Sequence, residues 1–182
     1  MSGEKRYPWR EAMPTALLLK ERLASVCERI EIAGSLRREK PDVGDIELLC
    51  IPKPSDSLFF TDLLDAMLKG LLGAEPPLLS YRPNIKGSVI YGQKNKLLIH
   101  VQSGIPVDIF STDAKNFGMA WLVRTGSAEF NIRVMARFKE LRMHGHAYGG
   151  ITGTQGQEID CPTEEVVFKH LGWGFIEPKD RI

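Results

Sequence analysis

Asp45 and Glu47 stand two residues apart in DIELLCI, an apolar run that reads as a β-strand. Side chains alternate along a strand, so both carboxylates share one face with α-carbons roughly 6.6 Å apart, while Ile46 and Leu48 turn to the core. Such a pair can hold hard cations. Two acids on a solvated strand face account equally well for these residues taken alone. Asp108 lies in GIPVDIF between Val107 and Ile109, one polar residue on an otherwise buried strand. If that strand neighbours 44–51, three carboxylates converge. Three oxygen ligands can seat two magnesium ions about 4 Å apart, which orient a triphosphate and lower the barrier to in-line attack by a hydroxyl. The alternative for Asp108 is an ordinary edge-strand position.

Gly34 and Ser35 come directly after a strand, in IEIAGS, and before a short polar element, LRREKPDV. Backbone amides at such a turn, with the serine hydroxyl and a nearby arginine, make a phosphate cradle. Gly34 lets the backbone approach closely, and Arg37 and Arg38 supply charge. A lone Gly-Ser turn and two arginines also describe a plain surface. Followed by D-x-E and a downstream Asp, the combination is specific.

These groups need a sheet to hold them. Residues 15–30 (TALLLKERLASVCERI) place Leu19, Leu23, Val26 and Ile30 at helical spacing and predict a packing helix. IEIAGS and DIELLCI read as strands, the second bounded by Gly44 and by Pro52 and Pro54. A helix is expected over 58–72, broken after it by Pro76 and Pro77, and β-like runs over 85–92, 96–102 and 105–111, separated by GQKN and QSG. This predicts a mixed sheet with helices on one face. Beyond Ser111 the chain turns helical, about 114–123 and then 127–140 after Thr125-Gly126. HAYGGITGTQGQ predicts a hairpin, and PTEEVVFKHLG a helix with Thr163 as N-cap and Glu164 and Glu165 in its first turn. The fold class is α/β (α+β), with a lobe boundary near 112–117 dividing residues 1–113 from 114–182.

Length and composition agree. With 182 residues and 43% hydrophobic content the chain can bury a core as one domain or two small lobes, which excludes disorder, collagen and coiled coil. No run approaches the roughly 18 apolar residues of a membrane span, and the first residues lack a signal-peptide stretch, so a soluble, unexported protein is expected. Cys27, Cys50 and Cys161 form no disulfide or zinc pattern; they are expected to be reduced, Cys27 and Cys50 in the core. The net charge of +1 says little about nucleic acid, but residues 117–150 carry five Lys/Arg against two Glu, with His144 and His146 besides. Those two histidines suit a phosphate contact or a plain surface strand. His100 and His170 read as structural, and Trp121 and Trp173 as packing in the second lobe or stacking on a base.

Together, the Gly-Ser turn with its acidic pair, RTGSAEFN at 124–131 and IEPKDR at 176–181 resemble the family X DNA polymerases, the DNA polymerase beta-like nucleotidyltransferases. The similarity runs in order from about residue 30 to 182. It implies a nucleotidyltransferase palm over 1–113 and a thumb over 114–182 that binds nucleotide and DNA. It assigns catalysis and two metal ions, magnesium or manganese, to Asp45, Glu47 and Asp108. Nucleotide binding falls to Gly34, Ser35, Arg38 and Gly44 at the triphosphate and to Gly126 and Asn131 at the sugar and base. Arg133 and Arg137 would contact DNA. The implied function is a minimal DNA-directed DNA polymerase that adds dNTPs to a primer 3′-hydroxyl on gapped or nicked DNA, a repair activity. The expected setting is a monomer off the membrane, in the cytoplasm or, if phage-encoded, that of the host.

The sequence departs from the family pattern in several places. Glu47 replaces a usual Asp, Val123-Arg124 replaces an aromatic pair before TGS, Pro106 replaces a frequent Arg, and Met135 a template-contacting one. The N-terminal lyase and helix-hairpin-helix lobes of larger members are expected to be absent, as in short viral and phage versions, leaving DNA affinity to the basic second lobe and sensitive to salt. An alternative is a template-independent nucleotidyltransferase, or one acting on RNA, protein or a small molecule. A non-catalytic nucleic-acid binding module would not need three carboxylates.

Overall fold

A computed structural model describes residues 5–56, 62–84, 86–146 and 148–182. Its architecture is mixed, with a five-stranded sheet, flanking helices and a smaller α+β second lobe. The chain opens with β1 (Tyr7–Pro8) and runs into α1 (Trp9–Ala24), which buries Ala12, Ala16, Leu19 and Leu23. This helix begins and ends earlier than the expected 15–30. The chain instead reverses into β2 (Cys27–Ile32), where an irregularity between Cys27 and Arg29 shifts the alternation. Cys27 and Ile30 are therefore both buried at a spacing that imitates a helix.

The chain continues through α2 (Gly34–Arg37), β3 (Asp42–Val43), which pairs with β1, and β4 (Ile46–Pro52). Helix α3 (Leu63–Gly73) starts at Asp62, whose side chain accepts from the Asp65 amide at 2.7 Å. Positions 58–61 of the helix expected there lie outside the described residues. Then come β5 (Leu79–Tyr81), β6 (Asn95–His100) and β7 (Pro106–Ser111). The sheet order is β2-β4-β7-β6-β5, antiparallel except for the parallel pair β4 and β7. Among the described residues of the expected strand 85–92 there are only isolated bridges, Val89 to Pro83 and Tyr91 to Lys96. The outer strand lies further upstream, at Leu79–Tyr81, where three residues between prolines leave little periodicity to read.

Alternation sorts the sheet into two faces. Leu48 and Cys50 of β4 and Val107 and Ile109 of β7 join α1 and α3 in one core. Leu49 and Phe110 point the other way, onto Phe117 and Ala120 of α4 (Phe117–Thr125). Helices thus cover both faces, not one. The C-terminal part continues through α5 (Ala128–Glu140) and a three-stranded sheet of β8 (His144–His146), β9 (Gly150–Thr152) and β10 (Glu158–Ile159), extending the expected hairpin. Helix α6 (Glu164–Leu171) follows. Its own core gathers Met119, Phe130, Val134, Phe138 and Phe168, with Trp173 against it. Thr163 holds the N-cap position of α6 but makes no side-chain cap bond.

Trp121 packs at the junction of the two lobes instead of inside the second. Its indole donates to the Ile32 carbonyl at 3.0 Å, and its ring lies against the cluster of Leu49 and Phe110. Cys27, Cys50 and Cys161 are all buried free thiols. His100 is buried with Nδ1 2.8 Å from the Ser103 hydroxyl, in keeping with a structural role. No helix among the described residues is long and apolar enough to cross a membrane.

Candidate active site

The parallel pairing of β4 and β7 sets Glu47 directly beside Asp108, with Ile46 beside Val107 and Leu48 beside Ile109. Adjacent strands lie about 4.8 Å apart, so the two acids are neighbours on the face that α4 partly covers. Asp45, expected in the same strand, lies just before β4, which starts at Ile46, and lines the same cavity as Glu47.

Electrostatics reflect the crowding. Burial raises the Glu47 carboxyl to about 8, Asp45 and Asp108 push it the same way, and Arg124 and Arg38 oppose them. Burial also raises Asp108 to about 6; Arg82 and Arg124 pull it down and Asp45 pushes it up. Glu47 is half-buried as a residue, but its Oε2 is enclosed and accepts no hydrogen bond from the described residues. An enclosed carboxylate oxygen among like charges, lacking a donor, is costly. A hard divalent cation, which takes oxygen ligands, fits this donor set. Among the described residues no three His, Cys, Asp or Glu side chains already close on one point. Asp108 is instead turned into an ion pair with Arg82.

Opposite the acids lies the Gly-Ser turn. The Ala33 amide donates to the Glu47 carbonyl at 2.9 Å, which fixes the turn against β4. Gly34 adopts φ +66°, a conformation that favours glycine, and a Cβ there would lie 2.7 Å from Glu47 Oε2 and force that carboxylate to shift. Ser35 follows on α2, and Arg38 caps its C-terminal end. A cavity of about 310 Å³ is lined on this side by Gly34, Ser35, Arg38, Asp45 and Glu47, and on the other by the turn from Val123 to Asn131.

That second wall is built by two helix ends. Gly126 closes α4 with φ +60°, and a Cβ on it would lie 3.5 Å from both the Arg38 guanidinium and the Asn131 amide nitrogen. Ser127 caps α5 by accepting from the Phe130 amide at 3.2 Å. Asn131 donates to the Val123 carbonyl at 2.8 Å, while its Oδ1 is enclosed without a donor. Arg38 bonds the Thr125 carbonyl across the gap. The structure therefore gathers Gly34, Ser35, Arg38, Asp45, Glu47, Gly126 and Asn131 around one cavity. Gly44 lies in an adjoining cleft of about 230 Å³ that shares Ser35 and Asp45 and contains Arg6 and Arg82. A larger cavity, about 330 Å³, opens at the far end of β7 beside Ser111 and Tyr148 and holds none of the three acids.

Arg37, read beside Arg38 as phosphate charge, is directed elsewhere, to Glu164 and Thr125. Arg133 and Arg137 lie outside the cavity on α5, where Arg133 donates to the Ile182 carbonyl and Arg137 to that of Leu171. Of three cations bordering the acids, Arg6 and Arg82 have no motif to announce them, while Arg124 opens RTGSAEFN. Arg6 reaches them through the pairing of β1 with β3, and Arg82 through a strand too short to read. Arg124 lies 3.7 Å over the Phe110 ring and bonds the Tyr148 hydroxyl, which in turn bonds Asn95.

A family model described as the DNA polymerase beta thumb matches residues 120–182. DNA polymerase lambda of Rattus norvegicus is 33% identical over 168 aligned residues, covering 81% of this chain and 28% of that protein. The chain thus spans about a quarter of the length of this relative.

Proposed function

We propose that this chain, a family X DNA polymerase-like protein, is a minimal DNA-directed DNA polymerase that joins dNTPs to a primer 3′-hydroxyl in short gaps. In this reading residues 1–113 are its palm and 114–182 its thumb. The observation that carries it is the enclosed Glu47 Oε2, without a donor among the described residues, crowded by the charges of Asp45 and Asp108 and set against Gly34. Asp45, Glu47 and Asp108 would hold magnesium or manganese, whose Lewis acidity activates the hydroxyl and offsets charge on the triphosphate.

The chain's own groups have distinct tasks. The Ser35 hydroxyl and the Arg38 guanidinium bind phosphate oxygens, and Gly34 and Gly44 leave room for them. Gly126 and Asn131 flank the sugar and base. Asp108 takes the proton of the attacking hydroxyl as the new O3′–Pα bond forms and pyrophosphate leaves with the electrons of the broken Pα–O bond. Arg133, exposed on α5, faces the duplex.

A second reading, a transferase indifferent to template or using another acceptor, is favoured by Arg124 on Phe110, a cation where the family carries an aromatic pair. One experiment separates them: extension of a labelled primer on a short gapped duplex, with each dNTP and NTP offered singly, magnesium or manganese present, and Asp45→Asn as the blank. Insertion that follows the template base and is lost in the variant supports the polymerase. Addition that ignores the template supports the second reading, and no incorporation refutes both.

A further inference from the structure

A transverse row crosses the large sheet. Ala33 bonds Glu47, Glu47 faces Asp108, Asp108 faces Leu97, and the Arg82 amide donates to the Leu97 carbonyl at 3.1 Å. Arg82 directly follows β5, two strands away from β7, yet its guanidinium pairs with Asp108 Oδ1. Two strand spacings are about 10 Å, which a long side chain and an aspartate reaching toward one another can close and a short one at 82 cannot. The position on β7 that shares Asp108's face and precedes it by two is Pro106, which has no charge to offer. Arg82 is only partly exposed, its side chain at 23%, and it borders the cleft that contains Asp45 and Ser35.

We infer that Arg82 is a positioning residue for the transfer reaction: it fixes Asp108 through Oδ1 and so presents Oδ2 to the acceptor hydroxyl. The inference rests on the nucleotidyl-transfer reading above. A guanidinium suits the task because its planar fork fixes direction as well as charge, whereas an ammonium supplies a rotating point charge. Arg82 adds a positive charge beside a cation site, so it does not help to bind metal. Its contribution is orientation, and loss of orientation lowers turnover without weakening nucleotide binding.

The test compares wild type, Arg82→Gln, Arg82→Lys and Asp108→Asn by single-nucleotide extension kinetics, Mn²⁺ binding by calorimetry and thermal melting. Arg82→Gln is expected to lose about tenfold or more in kcat, with KM for dNTP within about threefold of wild type. It should bind Mn²⁺ at least as tightly as wild type, a split that general damage to the site would not produce. Arg82→Lys should fold like wild type and recover part of kcat, which keeps the test decisive if the glutamine variant melts early. The inference is overturned if an active wild type is matched or exceeded by Arg82→Gln, or if Arg82 variants lose turnover and Mn²⁺ binding together. A wild type that transfers no nucleotide to any acceptor instead overturns the functional reading, and the role of Arg82 with it.

Discussion

Arg37 and Glu164 meet in a two-point contact, one guanidinium nitrogen on each carboxylate oxygen at 2.7 Å, across 127 positions of sequence. Arg181 grips the same carboxylate from another direction at 2.6 and 2.9 Å. Arg37 also donates to Thr125 Oγ1 at 2.7 Å and lies 3.4 Å over the Trp121 ring. Since Arg37 ends the short helix that carries Ser35, and Thr125 ends the helix that precedes Gly126, this contact sets the distance between the two walls of the cavity. The end of the chain takes part directly, because Arg181 is fully buried.

Removing Glu164 should therefore cost more than removing either arginine. Glu164→Ala leaves two guanidinium groups without their anion, one of them with no access to water, a loss of about 3–5 kcal/mol. Arg37→Ala leaves the pair of Glu164 and Arg181 intact and should cost about 1–3 kcal/mol. Urea denaturation of the two variants measures both losses. Equal midpoints for wild type and Glu164→Ala would show that the contact does not hold the lobes.

The same carboxylate gives the fold an acid limit. Burial raises the Glu164 pKa, but hydrogen bonds and charges from Arg181 and Arg37 outweigh it and hold the group below its ordinary value. A depressed folded pKa contributes stability that is complete above the unfolded value, about 4.3, and lost as pH falls through the folded one. Melting temperature should stay level with respect to this group above pH 5 and fall below about pH 4. Glu164→Gln, less stable at neutral pH, should show a shallower acid decline. Parallel melting curves of the two proteins between pH 3 and 6 would contradict the assignment.

The sequence makes some of these relationships visible and hides others for physical reasons. Alternation in DIELLCI predicts that Asp45 and Glu47 lie together because it is a local property of the chain, and they do share a cavity although β4 itself starts at Ile46. That Asp108 lies beside Glu47 depends on the parallel register of β4 and β7, which no local pattern records. Gly34, Ser35 and Gly126 are legible as turn and helix-end chemistry, Asn131 only through the resemblance of RTGSAEFN, and the structure brings them to one cavity. Arg37 is not, because two adjacent arginines on a short helix look alike until one finds Glu164. Ile30 reads as helical only because the bulge after Cys27 mimics a helical spacing. Arg82 escapes notice because β5, the strand before it, has three residues and no rhythm.

A site that crowds acids should weaken the fold when no cation is bound. Burial and the charges of Asp45 and Asp108 all act against an ionised Glu47. Glu47→Gln keeps the shape and removes the charge, so in the presence of chelator it should stabilise the protein by roughly 1–2 kcal/mol. Nucleotide transfer should fall by about 10²-fold or more, because the electrostatic work of the site depends on that charge. Melting in chelator, set beside primer extension in magnesium, measures the two changes. A variant that is both less stable and fully active would show that Glu47 is a structural residue.

Arg133 and Arg137 should separate, although both lie on α5 and the family resemblance assigns both to DNA. Arg133 is exposed and makes a single bond, to the Ile182 carbonyl at 3.1 Å. Arg137 is half-buried, donating through Nε to the Leu171 carbonyl at 3.0 Å and pairing with Glu140. A guanidinium already spent on a helix end contributes to the fold of the second lobe, whereas an exposed one remains available to phosphate. Arg133→Ala should reduce the slope of log affinity for gapped DNA against log salt by about 1, with little change in melting temperature. Arg137→Ala should lower the melting temperature and leave that slope closer to wild type. Fluorescence anisotropy across a salt series, paired with melting curves, distinguishes them. An unchanged slope in Arg133→Ala would remove this residue from the DNA interface, and duplex binding would then rest on cations elsewhere in the second lobe.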